Sequence, residues 1–349
     1  MPVEPSSSLR EVHAASGAVF ADRRGLRVVA SFGDPAAEYA AALENAGLAD
    51  LPERGALEAS GPRRVDFLHG ILSNDVAGLR PGQGCRAALM TSKGHVVALL
   101  RVLVGTDAVR LEMGAERLDA ATRSLEHYRV AAPVRFRPLP VAVLALLGLR
   151  AADVLRASGV EVPRDPEGHV AARVDGTDVL VARAGDLPGG GFVVHVPPGD
   201  SVRVWKALRA AGARPVGRDA LDARRVEDLR PWDGDDVGEG NLLHETGLVR
   251  ELHSPAKGCY VGQETVARLE ARGGHVNKAL RRLRLSGPAA TGEPVRAGSR
   301  DVGRVTTAAL SPRYGPVAMA YVHRDHFAPG TALEVAGAQA TVVDSFDEE

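Results

Sequence analysis

After residue 278 the helical periodicity of the chain stops, and this change constrains the fold more than any other feature. Short apolar runs separated by Gly and Pro follow one another from LRRLRLSG to QATVVDSF. Runs of this length and spacing are typical of closed antiparallel sheets rather than of packed helices. The C-terminal part, residues 278–349, is therefore predicted to form a small β-barrel.

Before the barrel, strand and helix signals alternate in two rounds. The first round contains two strands around an Arg-Gly turn in residues 17–34. A helix follows, with Asp34 as its N-cap and Pro35 at its first position. The alternation starts again near residue 136 with the apolar run VAVLALLG. This pattern predicts α+β architecture with a mixed or antiparallel sheet.

Composition excludes several classes of protein. The 349 residues carry a net charge of -1, with 45% hydrophobic and 25% charged residues, which is the profile of a soluble globular protein. A near-neutral chain has no overall field that attracts nucleic acid. The longest apolar run, residues 141–149, is too short to span a bilayer, and the N-terminus lacks an apolar targeting segment. A cytoplasmic protein that binds neither nucleic acid nor membranes is predicted.

The two cysteines limit the possible chemistry further. Cys85 and Cys259 are too few for a disulfide framework, which indicates a reducing compartment. They are also too few to hold a zinc ion or an iron–sulfur cluster without other ligands. The histidines show no metal-binding spacing, so no metal site is predicted.

Residues 257–264, KGCYVGQE, form the most unusual stretch of the chain and are called the signature segment below. Lys257 is one of four lysines, and Cys259 follows it by two positions. Gly262 is predicted to cap a helix from residue 263 to 272, with Glu264 in its first turn. A nearby cation and a helix N-terminus favour the thiolate form of an accessible cysteine. From the residues alone, both a reactive thiol and an ordinary turn remain open.

Carboxylates elsewhere in the chain have two interpretations each. Glu227 lies on a predicted helix beside apolar residues, where it is either an acceptor for an amino-pyrimidine edge or a surface carboxylate paired with Arg224 or Arg230. An acidic loop follows, and its spacing does not match a calcium site. This loop is predicted to be a solvated turn that contains Asp233, Asp235, Asp236 and Glu239.

KGCYVGQE closely resembles the signature of the YgfZ family, folate-binding proteins related to the T-protein of the glycine cleavage system. That family includes the mitochondrial iron–sulfur assembly factors of eukaryotes. Three further stretches resemble T-protein segments and extend the resemblance to roughly residues 17–345: LEASGPRRVDFLHGILSNDVAGL, RRVEDLRPWDG and DVGRVTTAALSPRYGPVAMAYV.

The resemblance implies a fold and a set of site residues. The fold is an α+β cloverleaf of three domains around a folate pocket, with two interleaved α+β domains and a C-terminal barrel. The implied ranges are 17–135 with 222–277, then 136–221, then 278–349. Glu227 is the implied pterin-recognising carboxylate, and Asn74 and Asp75 line the same cavity. The implied residues from the signature segment, which border the pocket, are Lys257, Cys259, Gln263 and Glu264, with Lys257 and Cys259 as the catalytic pair.

Two departures from the family pattern affect the expected activity. T-proteins carry an Asp pair after a Gly-Gly turn, and one Asp of the pair is linked to aminomethyl transfer. Here the equivalent stretch is SKGHVVALL, with Val97, Ala98 and Leu99 and no acid. Without a carboxylate to handle a proton, the aminomethyltransferase chemistry is predicted to be absent. In the second departure, Asp228 and Leu229 replace the Ala-Gly of the family's Glu-Ala-Gly segment.

The leading hypothesis is an accessory factor that binds tetrahydrofolate, or a one-carbon derivative, and helps to assemble or repair iron–sulfur proteins. Its partners are folate and iron–sulfur client or assembly proteins, and Cys259 is the reactive or ligating thiol. The alternative is a folate-dependent aminomethyl or methyl transferase of the T-protein type. A third hypothesis is a folate-binding scaffold in which Cys259 only packs.

Overall fold

The computed structural model describes residues 7–347. The α-helices are α1 (Ser7–Ala15), α2 (Pro35–Leu43), α3 (Arg64–Ile71), α4 (Leu118–Arg129), α5 (Ala151–Ala157), α6 (Ser201–Ala210), α7 (Arg218–Glu227), α8 (Val249–Leu252) and α9 (Gln263–Ala271). Short 3-10 helices cover Ala115–Arg117, Pro198–Asp200, Leu243–Thr246 and Arg324–His326.

The strands are numbered along the chain in the same way. They are β1 (Val19–Arg23), β2 (Leu26–Ser31), β3 (Gly47–Asp50), β4 (Arg54–Ser60), β5 (Gly84–Met90), β6 (Val96–Val104), β7 (Ala108–Gly114), β8 (Arg135–Leu139), β9 (Ala142–Leu147), β10 (His169–Val174), β11 (Thr177–Arg183), β12 (Gly191–Val196), β13 (Arg214–Pro215), β14 (Lys278–Leu285), β15 (Pro294–Ala297), β16 (Arg300–Ser311), β17 (Gly315–His323), β18 (Ala332–Val335) and β19 (Ala338–Val343).

The first α+β body is built on an antiparallel sheet with strand order β5-β6-β7-β4-β8. All nine residues of β6 are buried, because the strand is covered on both faces. On one face α3 and α4 cover the apolar side chains around Leu57, Leu100 and Leu111. On the other face, the segment that contains α8 and Val266 of α9 covers Ala88 and Leu99.

The second α+β body has a sheet with strand order β10-β11-β12-β9-β3-β13. One face packs on α5, α6 and Leu9 of α1, around the fully buried Trp205. The strand β3 pairs with β9 in this sheet, although it lies within the first predicted domain range, 17–135. The chain therefore crosses between the two bodies more than once before residue 150, and the domain ranges stay a prediction.

The C-terminal body is a closed barrel with strand order β14-β17-β16-β15-β18-β19. Its interior is filled by Leu283, Val295, Val305 and other aliphatic side chains. Two α+β bodies and a C-terminal barrel confirm the fold class predicted from the strand and helix pattern. Among the described residues, no helix is both long enough and apolar enough to cross a membrane.

Local signals position α2 and the turn after α7. Asp34 caps α2, since its Oδ1 accepts a hydrogen bond from the amide of Ala37 at 3.0 Å. After α7, Leu229 adopts a left-handed conformation with φ +49°, which is strained for a residue with a Cβ. This is the position where the resembled Glu-Ala-Gly segment has its glycine, so the second departure from the pattern places a strained residue two positions after Glu227.

Candidate functional site

The signature segment connects α8 to α9 and rests on the turn between β5 and β6. Gly262 precedes α9 with φ +85°, and a Cβ at this position would lie 2.7 Å from the carbonyl oxygen of Thr91. Only glycine fits such a conformation at such a distance. The Thr265 hydroxyl donates to the carbonyl of Lys93 at 3.0 Å. The start of α9, predicted at Gln263, is thereby held against the first sheet.

Lys257 is buried, and its ammonium group is fully used by backbone acceptors. Its Nζ donates to the carbonyls of His69 and Leu72, at the end of α3, and to the carbonyl of Asn74 at 3.2 Å. The carbonyls of His69 and Leu72 are among those that a helix end leaves without intrahelical partners. Burial lowers the pKa of Lys257 to about 8, although the charges of Asp75 and Cys85 oppose the shift. Lys257 therefore binds the signature segment to α3.

The two cysteines differ in exposure. Cys259 is exposed, whereas Cys85 is half-buried and packs against the core beneath α3 and α4. Burial, together with the charges of Glu167 and Asp75, raises the pKa of Cys85 to about 12. Cys259 is therefore the more exposed of the two thiols, and the raised pKa keeps Cys85 in the unreactive thiol form at neutral pH.

Asn74 and Asp75 lie beside Lys257 and organise the same region. The Asn74 side chain donates to the carbonyls of Arg86, at 2.8 Å, and Glu251, at 3.3 Å. Asp75 is half-exposed and lies 3.2 Å from Nδ1 of His69. The structure thus brings together Asn74, Asp75 and Lys257. Glu264 is exposed in the first turn of α9, and Gln263, which is partly exposed, begins that helix.

Glu227 lies apart from this group, and protein donors already occupy its carboxylate. The Tyr39 hydroxyl donates to its oxygens at 2.9 and 3.0 Å, the Arg224 guanidinium at 2.6 Å and the Ser311 hydroxyl at 2.6 Å. Burial and the adjacent Glu227 raise the pKa of Tyr39 to about 12, so that its hydroxyl remains a donor. Within residues 7–347, no hydrogen bond or ion pair joins Glu227 to the signature segment. Its carboxylate links α7 to α2 and the barrel.

The stretch of β6 that lacks the acid pair is apolar and closed to solvent. Val97, Ala98 and Leu99 are buried. Val97 and Ala98 pack towards α3 and α4, and Leu99 packs towards the segment with α8. No carboxylate of β6 itself is available there for proton transfer.

Six titratable side chains meet where the two α+β bodies touch, and they are called the junction cluster below. They are Arg54, Arg101, Glu112, Glu167, Asp186 and His195. Arg101 is in the middle, and its guanidinium donates to Glu167 at 2.9 Å, to Glu112 at 3.4 Å and to Asp186. His195 lies 2.6 Å from Glu112. Burial alone raises the pKa of Glu112, but Arg101 and His195 outweigh it and lower that pKa to about 2.

A folate does not fit between these side chains in the arrangement described. A cavity beside the junction cluster has a volume of about 10 Å³ and is bordered by Arg54, Arg86, Leu99, Leu100, Arg101, Asp186, Pro231, Trp232 and Asp233. A space of this size holds about one water molecule. The ring of Trp232 is also close to cations, with Arg54, Arg218 and Arg225 each within 4.8 Å of the ring centroid. Glu227 likewise has no free oxygen for a pterin.

The prediction of a solvated acidic loop is wrong for three of its four acids. The side chain of Asp235 is only 11% exposed and lies 2.7 Å from Arg218. Asp236 is buried and accepts from Arg225, Thr306 and Thr307. Asp233 is buried as well. The loop turns inward because the buried arginines of α7, Arg218 and Arg225, require acceptors, and the acidic composition of the loop alone does not show this.

Sequence reasoning also missed the junction cluster, although the chain contains a signal for it. Arg101 interrupts the apolar run VVALLRVLV, and Arg86 interrupts CRAALM. A charged residue inside a buried strand requires a partner. The sequence alone could not identify that partner, because Asp186 is 85 positions from Arg101.

Comparisons with known proteins agree with this architecture. The GCVT N-terminal domain model matches residues 9–253, and the glycine cleavage T-protein C-terminal barrel domain matches residues 278–345. The chain belongs to the glycine cleavage T-protein family. Relatives include the aminomethyltransferase of Saccharopolyspora erythraea, 30% identical over 94% of this chain and 92% of that protein. The aminomethyltransferase of a Nostoc species is 29% identical over 85% of this chain and 82% of its own.

The T-protein fold is also found among solved structures. The crystal structure of glycine cleavage system aminomethyltransferase T from Bartonella henselae superposes with a TM-score of 0.85, covering 97% of each chain at 24% identity. Identity at this level supports the shared fold, and the chemistry of the present chain must be argued from its own residues.

Proposed function

We propose that this T-protein relative is a cytoplasmic accessory factor of the YgfZ type, which assists the assembly or repair of iron–sulfur proteins through Cys259. One contrast carries the proposal: the thiol of the signature segment is exposed, whereas β6 has buried apolar residues in place of an acid pair. A thiol is a nucleophile and a soft metal ligand. The catalytic role predicted for Lys257 is better described as positioning, because its ammonium is bound by three carbonyls.

A single exposed thiol restricts how such a factor works. An iron–sulfur cluster needs about four ligands, and within the described residues no group of three or more histidine, cysteine or acidic side chains is arranged to hold a metal ion. Cys259 therefore contacts a cluster only together with ligands from a client or assembly protein. Such a partner has direct access to the thiol because the signature segment lies on the surface.

Tetrahydrofolate, or a one-carbon derivative of it, is the ligand that we propose on the strength of the family resemblance. Binding at Glu227 requires Tyr39, Arg224 and Ser311 to release the carboxylate. Binding at the junction cluster requires a cavity far larger than about 10 Å³. A folate-bound form is therefore expected to differ from the present arrangement at one of these places.

Complementation tests the role of the thiol. In a strain that lacks the protein and has reduced iron–sulfur enzyme activity, wild type and Cys85→Ser are expected to restore that activity, and Cys259→Ser is not. Both variants remove one sulfur atom, so Cys85→Ser is the matched control. Full restoration by Cys259→Ser, at an equal protein level, would show that the thiol is dispensable.

Aminomethyl transfer is the second candidate function, because relatives about 30% identical over nearly the whole chain are aminomethyltransferases. The buried Val97, Ala98 and Leu99 of β6 argue against it. A glycine-cleavage assay with lipoylated carrier protein and tetrahydrofolate decides between the two functions. Turnover that survives Cys259→Ser would favour the transferase.

A further inference from the structure

A surface groove lies between α4 and the turn that joins β5 to β6, and it is called the hairpin groove below. Its volume is about 560 Å³, far larger than the cavity beside the junction cluster. Its polar lining comes from two elements, with Ser92 and Lys93 on the turn and Arg123 and Ser124 on α4. The apolar members of its lining are Val97 and Ala120.

The two cations of the hairpin groove are available to a partner. Lys93 and Arg123 are exposed, and neither of them forms an ion pair with any residue between 7 and 347, whereas the neighbouring Arg117 is paired with Asp233. Among the described residues that border the groove, Glu239 is the only acid, and its Oε1 lies 3.9 Å from Nη1 of Arg117. The groove therefore has an excess of positive charge.

The turn that forms one wall of the groove also supports the signature segment. A Cβ on Gly262 would lie 2.7 Å from the carbonyl oxygen of Thr91, so the two backbones are in contact. Cys259 precedes Gly262 by three residues, and three residues span at most about 11 Å. The backbone of Cys259 is therefore within about 15 Å of this wall, a distance that about five extended residues cover.

The lining of the hairpin groove suits a chain segment better than a small molecule. Small-molecule sites are mostly apolar and enclose their ligand, whereas this groove is mostly polar and its cations are exposed. A single phosphate is typically bound by donors that converge on one point, as at a helix N-terminus. Here Lys93 and Arg123 come from two separate elements, and successive carboxylates of an extended segment can meet both.

We propose that the hairpin groove binds an extended acidic segment of the protein that meets Cys259. Carboxylates of this segment pair with Lys93 and Arg123, and the hydroxyls of Ser92 and Ser124 donate to further oxygens. The rest of the segment then reaches the signature segment and brings the partner's reactive atom to the thiol. This proposal rests on the proposed role of Cys259.

Mixed-disulfide formation measures the docking with a defined probe. Two short peptides each contain one cysteine activated as a 2-pyridyl disulfide, flanked by Asp and Glu in one peptide and by Asn and Gln in the other. In Cys85→Ser, Cys259 is the remaining thiol. Its thiolate attacks the peptide sulfur, and the absorbance of the released pyridine-2-thione gives the rate. The acidic peptide is expected to react at least about fivefold faster at low salt, and the ratio should approach one at about 0.5 M salt.

Charge reversal assigns this preference to the groove. Lys93→Glu combined with Arg123→Glu is expected to reduce the ratio of the two rates to about one or below, because the groove then repels carboxylates. Lys206→Glu combined with Arg209→Glu is the matched control, since the same residue types are exposed on α6, and it should keep the ratio. Equal ratios in the two double variants would show that other charges steer the peptide. Equal rates with the neutral peptide verify that both variants are folded.

A small oxyanion is the competing occupant, and inorganic phosphate is the probe for it. The preference for the acidic peptide is expected to persist at micromolar phosphate, where screening by salt is negligible. Loss of the preference at that concentration would identify a small oxyanion as the occupant and overturn the acidic segment.

Complementation separates failure of the groove from failure of the proposed function. In the strain that lacks the protein, Lys93→Glu combined with Arg123→Glu is expected to lose most of the restored iron–sulfur enzyme activity. If this double variant restores activity as fully as wild type and Cys259→Ser does not, the groove is wrong and the role of the thiol stands. If Cys259→Ser also restores full activity, both proposals fail together.

Discussion

The junction cluster and the signature segment use their polar side chains in opposite ways. In the junction cluster Arg101 is buried and joined to three carboxylates from two bodies of the fold. In the signature segment one polar group, the ammonium of Lys257, is buried and fixed, and the thiol two residues later is exposed. Buried ion pairs thus join the two α+β bodies, while the exposed thiol lies on a segment that Lys257 holds against α3. Substitutions in each region can test this division.

The largest loss of stability is expected from Arg101→Met. The substitution leaves Glu112, Glu167 and Asp186 to share Arg54 and His195, and removal of one partner from a buried pair costs about 3–5 kcal/mol. The free energy of unfolding, from urea titration, measures the loss. Arg137→Met is the control, because Arg137 forms an exposed pair with Glu58 and such pairs contribute at most about 1 kcal/mol. Equal effects of the two substitutions would show that the junction cluster contributes no more to stability than an exposed ion pair.

Lys257→Met is expected to have the next largest effect. The carbonyls of His69, Leu72 and Asn74 lose their donor, and an unsatisfied buried acceptor costs about 1–3 kcal/mol. Hydrogen exchange of residues 257–264 should accelerate as the segment loosens. Lys206→Met on the exposed side of α6 should change stability by less than about 0.5 kcal/mol. Unchanged exchange in Lys257→Met would mean that the segment is held by other contacts.

Asp233→Asn is expected to change how stability depends on pH. The pKa of Asp233 is raised from 3.8 to about 7 on folding, so the neutral form is favoured in the folded protein and stability is lost as pH rises through this window. Between pH 5 and pH 7 the free energy of unfolding of wild type should fall by about 2 kcal/mol relative to Asp233→Asn. Parallel urea titrations of the two proteins measure this difference. Parallel pH profiles would contradict the raised pKa of Asp233.

Cys259→Ser is expected to alter stability least, by less than about 0.5 kcal/mol, since the residue is exposed. Its effect should appear in thiol labelling at pH 7.5. Wild type and Cys85→Ser should show one rapidly reacting thiol, and Cys259→Ser none, because burial raises the pKa of Cys85 to about 12. A rapid reaction that survives in Cys259→Ser would place the accessible thiol at Cys85.

Short-range signals predicted much of the fold. Asp34 and Pro35 predicted α2, Gly262 predicted the start of α9, and the strand pattern after residue 278 predicted the barrel. Each of these signals acts within a few residues or through a repeated local pattern, which the sequence displays directly.

The candidate site depends on contacts that no local pattern displays. Glu227 meets Tyr39 across 188 positions and Ser311 across 84, so its occupied carboxylate was not predictable from neighbouring residues. The acidic composition of its loop predicts a solvated Asp233, whereas Arg218 and Arg225 of α7 bind the neighbouring acids and draw that loop inward. Burial of charge is decided by packing between bodies, and one sequence does not specify that packing.

The ammonium of Lys257 reaches carbonyls 183 to 188 positions earlier in the chain. Contacts over such separations require closure of a very long loop and form slowly. The surface that presents Cys259 is therefore completed only after about three quarters of the polypeptide has been synthesised. A chain in which residues 69–74 have not folded has the thiol but lacks its platform, so an ordered signature segment indicates that this part of the first α+β body has folded.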